Sequence, residues 1–209
     1  MRVMRPTSLC VDPRPRSRLS ARAWLVQGLL LVVACGLFGC AAPSPGAGAG
    51  IDGQACVGGS PQPTPEMRES HNPILLAQAQ LPSGQGGTCA AKVYALTAPL
   101  AVYRVFDQAQ PQGHLGRWWA LHAPAPDRDA YRRTLAICPE WSQLNALVRC
   151  ELRPGTQVVL GNTQSARCAD GSVLPKTAAA QVFVPNDARA GITHVGQCTP
   201  TRDWPAASP

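Results

Sequence analysis

The sequence predicts an α+β domain, a small and mainly antiparallel sheet with two packed helices, and three observations carry that expectation. A β-branched and aromatic run, Leu100–Phe106, precedes two helix-start signals, and short apolar runs between turn residues follow them. Six cysteines lie dispersed after position 40 (Cys56, Cys89, Cys138, Cys150, Cys168 and Cys198). An even, scattered set of this kind reads as three disulfides cross-linking a small domain. Sequence alone does not choose among their fifteen pairings.

Taking the chain in order, its 209 residues carry 19 Lys and Arg against 12 Asp and Glu, a formal charge of +7. Six of the cations (Arg2, Arg5, Arg14, Arg16, Arg18 and Arg22) precede position 40, opposed only by Asp12. The rest of the chain is close to neutral, which argues against a nucleic-acid partner, since that needs a basic stripe on the folded domain. The basic segment runs into an apolar stretch of 17 residues, Ala23–Gly39, the pattern of an export signal. Leu37-Phe38-Gly39-Cys40 resembles the bacterial lipoprotein signal, with Cys40 as the lipidated residue; Val32-Val33-Ala34-Cys35 is a second candidate. Cysteine parity favours Cys40, because cleavage there leaves six thiols for pairing. The resemblance implies a signal peptide over 1–39, a lipid anchor in the membrane and an outer-membrane location in the cell envelope.

Residues 40–87 read as a tether, since 16 of the 47 residues from Ala41 to Gly87 are Pro or Gly. The apolar interlude Pro73–Ala77 is expected to dock back as a turn or two of helix, and Cys56 staples part of the stalk. The domain proper is expected over 88–200, with a flexible tail at 201–209. Ala91–Ala95 and Leu100–Phe106 are strands, and Asp107–Gly116 is a loop. Asp127 caps a helix through Cys138, with Tyr131 and Leu135 on one side. Pro139 starts a second helix, in which Trp141, Leu144 and Val148 form a buried stripe. Turns at Pro154-Gly155 and Asp170-Gly171 separate the strands Gln157–Gly161, Gln181–Pro185 and Ile192–Gln197.

One residue stands out against this apolar background. Leu100, Val102, Arg104 and Phe106 share a strand face, and Arg104 is the charged member of a run that is otherwise apolar or aromatic. A guanidinium there is costly unless something meets it. An ion pair to Glu140 or Glu151, or an edge position reaching water, is one resolution. A phosphate or ribose gripped by the planar fork is the other. The adjacent Trp118 and Trp119 must point to opposite sides if extended, so one ring could stack on a flat ligand. No CxxC pair occurs and the four histidines lack ligand spacing with the thiols, so no metal site is expected. A Ser-His-Asp hydrolase is disfavoured: there is no GxSxG, and His114 and His122 fall in loops.

Tyr103-Arg104-Val105-Phe106, Gly116-Arg117-Trp118-Trp119 with Pro124, the helix expected from Trp141 to Val148, Arg153-Pro154-Gly155-Thr156 and Gln181-Val182-Phe183-Val184, in that order, resemble bacterial ADP-ribosyltransferase-like domains, including NAD-glycohydrolase toxins of the tuberculosis necrotizing toxin type. The resemblance spans about 102–185 and departs from the family at Ala178-Ala179-Ala180, where Gly-Gly precedes the catalytic residue. It implies an ADP-ribosyltransferase-like fold, NAD as substrate and no bound cofactor. Arg104 and Gln181 would be catalytic, with Arg104, Trp118 and Trp119 binding NAD. The competing expectation is a non-enzymatic envelope lipoprotein, a disulfide-stapled module that binds a partner or ligand.

Overall fold

Alternation along Leu100–Phe106 suits it to an antiparallel pairing with Ala146–Leu152, and the turn at Pro154-Gly155 then carries the chain from that sheet into a second one. The computed structural model describes residues 48–205; the stretch read above as an export signal and Cys40 lie outside them. In chain order the elements are β1 (Met67–Glu69), α1 (Pro73–Ala79), β2 (Thr88–Leu96), β3 (Leu100–Phe106), β4 (Trp118–Trp119), α2 (Arg128–Thr134), β5 (Ala146–Leu152), β6 (Gln157–Thr163), β7 (Ala166–Arg167), β8 (Val173–Leu174), β9 (Ala180–Phe183), β10 (Val195–Gly196) and β11 (Arg202–Asp203). One sheet has the order β1-β2-β6-β9-β4. In the second, β5 pairs with β3 along seven residues and with β10 and β11 near its two ends. Every strand pairing is antiparallel, which fits the α+β class. Tyr103 and Ala120 exchange backbone hydrogen bonds of 2.8 Å and so tie β3 to the segment after β4.

The main core lies between these sheets. Leu96, Val102, Trp119, Val148, Leu152, Val158, Leu160 and Val182 are all buried in it. Burial of such side chains contributes about 1.5–3 kcal/mol each and dominates the stability of the fold. The cysteines pair as Cys56–Cys89, Cys138–Cys168 and Cys150–Cys198. Among the described residues no helix is long and apolar enough to cross a membrane.

Four expectations change. The second helix is absent: Pro139–Trp141 makes a single 3-10 turn, Leu144 takes a left-handed φ of 51°, and β5 begins at Ala146. Seven long-range pairs to β3 outweigh the local helical spacing of Trp141, Leu144 and Val148, and Trp141 ends up 43% exposed. Residues 40–87 hold the helical interlude and the Cys56 staple expected of them, but β1 also pairs with β2, so this stretch belongs to the sheet from Met67 on. In α1, Asn72 Oδ1 caps the Leu75 amide and Pro73 occupies the first turn, and Leu75 and Ala79 are buried with Val93, Val159 and Phe183. Two apolar residues four apart suffice to dock a short helix even where Pro and Gly abound. The tail is not free over its first residues, because β11 pairs with β5 and Trp204 is buried beside Leu144 and Leu147. The helix capped by Asp127 forms, its Oδ1 accepting from the Ala130 amide at 2.8 Å, but it stops at Thr134 because Ala136 turns to a φ of 47°.

Candidate functional site

Val102, Arg104 and Phe106 follow one another on the same face of β3. Val102 and Phe106 are in the main core, whereas Arg104 lies where that core opens into a cavity of about 150 Å³. Arg104, Trp118, Trp119 and Gln181, the four residues singled out from the sequence, all line this cavity. Tyr131 from α2 and Trp141 from the following turn line it too, together with an apolar wall that includes Leu135 and Ile137.

Arg104 is held by backbone carbonyls. Its Nε donates to Gly113 O at 2.7 Å and its Nη1 to Trp118 O at 2.7 Å. Neither anticipated carboxylate reaches it: Glu140 Oε1 accepts from the Ala169 amide, and Glu151 pairs with Arg149 at 3.4 Å. Among the described residues Arg104 has no ion pair, and three of its five N–H donors have no partner. Burial brings its pKa down to about 10, against the favourable influence of Tyr131, so it remains a cation at neutral pH. Burial likewise pushes Tyr131 up to about 12, outweighing the Arg104 charge and the Val105 backbone amide, so the phenol stays neutral. The Tyr131 ring packs edge-on against Trp204, with centroids 5.2 Å apart.

The two tryptophans divide as an extended segment demands. Trp119 is 2% exposed and belongs to the main core, with Nε1 donating to Gly116 O at 2.8 Å. Trp118 is half-buried and meets Phe183 edge to face at 5.0 Å. Gln181, on β9 opposite Gly161, donates from Nε2 to Thr163 Oγ1 at 2.8 Å and to Leu135 O at 3.3 Å. Thr163 Oγ1 already donates its own proton to Ala179 O, so it accepts from the Gln181 amide and fixes which way that amide points. Gln181 Oε1 makes no hydrogen bond among the described residues and is left as an acceptor.

The segment from Leu135 to Leu144 forms much of the cavity wall. Two non-glycine residues in left-handed conformation, Ala136 and Leu144, stand near its ends, a backbone arrangement that costs energy and persists only where surrounding structure enforces it. The enforcement is visible. Cys138 is bonded to Cys168, Arg132 donates to Ile137 O and Ser142 O, and Arg128 donates to Leu144 O and Trp204 O. Cys138, Cys168 and Glu140 come within 4.8 Å of one another, but the two sulfurs are bonded to each other and offer no thiolates to a metal. Three arginines therefore serve the cavity and its wall through backbone carbonyls, and no acidic side chain lines the cavity. The arrangement favours an electron-rich or anionic group next to a flat ring.

Tyr131 and Trp141 were not anticipated as site residues. Tyr131 carried a signal, an aromatic ring four residues into a capped helix; Trp141 was hidden by spacing that mimics a helical stripe. No protein-family model matches this chain, and no curated protein matches it. A solved structure described as "Structure of Tne2 in complex with Tni2" is similar to it with a TM-score of 0.41 and 14% identity, over 56% of this chain and 93% of that one. That likeness is too slight to extend a fold family or a function to the chain.

Proposed function

We propose that the cavity binds the nicotinamide end of NAD and that the domain, an ADP-ribosyltransferase-like one, hydrolyses the nicotinamide–ribose bond. The observation that carries this reading is the convergence of Arg104, Trp118 and Gln181 on one cavity, with Arg104 half-buried and unmatched by any carboxylate among the described residues. In the reaction the bond electrons pass to the ring nitrogen, which loses its positive charge and leaves as neutral nicotinamide. The ribose is left as an oxocarbenium-like species that water attacks, releasing a proton and ADP-ribose. Arg104 holds the diphosphate side with its unpartnered donors, and Trp118 stacks the departing ring. Gln181 Oε1 accepts from a ribose hydroxyl and stabilises the developing charge, its direction fixed by Thr163. Because nicotinamide leaves readily, positioning and electrostatics are asked to supply most of the acceleration. An exported, lipid-anchored chain would carry this chemistry to the cell envelope or beyond it.

A second reading, a binding module without catalysis, draws on different observations. Trp119 is core, Arg104 already satisfies two carbonyls, and 150 Å³ is below the several hundred that a whole dinucleotide fills. The deciding experiment follows nicotinamide release from NAD by the oxidised full chain and by its Arg104→Ala and Gln181→Ala variants, with folding checked by circular dichroism. Catalysis predicts turnover by the wild type and at least about a hundredfold loss in each folded variant, the order seen when a transition-state donor is removed. No turnover, or equal turnover in all three, leaves the module reading.

A further inference from the structure

Among the aromatic residues lining the cavity, Trp141 alone is exposed, at 43%. Its place is built rather than incidental. The turn that carries it follows the Cys138–Cys168 bond, and its amide donates to Cys138 O at 3.0 Å. One edge of the indole lies on Gly86, where an added Cβ would stand 3.0 Å from Cζ3 and 3.1 Å from Cη2. Gly86 has a φ of 73°, and its amide is held by Ser165 O at 2.8 Å. A large ring is thus backed by fixed backbone on one side and left open to solvent at a cavity whose other aromatics are buried or half-buried.

The size of the cavity says what the open ring is for. About 150 Å³ accommodates one ring of a ligand, so the rest of a two-ring ligand must lie outside, over the mouth. We infer that Trp141 is the stacking face for the second planar ring, the purine end of a dinucleotide whose first ring occupies the cavity. This rests on the reading of the cavity given under Proposed function. A purine laid on an exposed indole gains contact on a face that every base possesses, so the site selects for a second ring rather than for a particular base. Trp141 therefore sets the preference for a dinucleotide over a mononucleotide.

The test is calorimetric titration of the oxidised full chain with carbocyclic NAD, which cannot be hydrolysed, and with the matching carbocyclic nicotinamide mononucleotide, which lacks the purine. Wild type, Trp141→Phe and Trp141→Leu are compared; the leucine keeps bulk without a ring. The expected result is about a tenfold loss of affinity for the dinucleotide in the leucine variant, the order of one stacked base, with the mononucleotide unchanged within about twofold and the phenylalanine variant close to wild type. Equal losses for both ligands, or no loss for either, would overturn the role of Trp141 and leave the cavity reading standing. Failure of the wild type to bind even the mononucleotide would overturn the cavity reading, and the inference with it.

Discussion

Gly116 and the guanidinium of Arg104 occupy adjoining space that only a glycine permits. An ideal Cβ at position 116 would stand 2.8 Å from Nε and closer still to Cζ and Nη2. The backbone at Gly116 is extended, with a φ of −65°, so conformation does not demand glycine there; proximity does. The Gly116 carbonyl meanwhile accepts from Trp119 Nε1 and Asn186 Nδ2, which keeps this stretch from moving aside.

Gly116→Ala is accordingly expected to destabilise the domain by about 1–3 kcal/mol, the usual result of forcing extra volume into a packed site. It should displace Arg104 from Gly113 O and Trp118 O, so ligand affinity falls together with the melting temperature. Gly116→Ala in an Arg104→Met background supplies the check. With the fork gone, the alanine should cost measurably less, and double-mutant thermal unfolding reads the difference. Full additivity of the two substitutions would show that the contact is not the cause.

The Cys138–Cys168 bond closes a 30-residue span, and in the chain-entropy account a loop of that length contributes about 3–4 kcal/mol. The paired Cys138→Ser and Cys168→Ser variant should lose an amount of that order in denaturant unfolding. It should also raise amide hydrogen exchange across residues 136–144, which form the cavity wall. Removing Cys150–Cys198 instead, which ties β5 to the chain before β11, should lower global stability and leave the protection pattern of that wall unaltered. Indistinguishable exchange profiles for the two variants would refute a local role for the first bond.

His194 supplies a pH dependence with a definite sign. Partial burial, followed by the charge of Arg153, holds its imidazole below the ordinary range. The unfolded chain therefore takes up this proton first as pH falls through about 6.5, and stability from this residue is complete above that value. It is lost progressively as pH drops toward the lower value of the folded state. Melting temperatures from pH 8 to pH 5 should decline less steeply in His194→Gln than in the wild type. A steeper decline in the variant would reverse the sign and refute the assignment.

Parts of this molecule were legible from local pattern and others were not. Leu100–Phe106 could be read because alternation along a strand is a property of consecutive residues, and Arg104 stood out because its neighbours are apolar or aromatic. The Asp127 cap was readable because capping involves residues three apart. Trp141, Leu144 and Val148 misled for the same reason, since spacing of three and four is local evidence for a helix and says nothing of the pairing with β3 that begins at Ala146. The docked helix at Pro73–Ala79 was legible as an apolar interlude among Pro and Gly, with Leu75 and Ala79 as its buried face.

By itself, then, the sequence determined the α+β class, the concentration of basic charge in the first 40 residues ahead of a nearly neutral remainder, and the presence of a cation and two adjacent indoles that local patterning could not absorb. Tertiary structure decided how the cysteines pair, which indole enters the core, and that Arg104 is met by carbonyls rather than by a carboxylate. The reason is one of range. Turns, caps and alternation are set within a few residues, whereas Arg104, Tyr131, Trp141 and Gln181 become neighbours only once β3, α2, the turn before β5 and β9 have packed around one cavity.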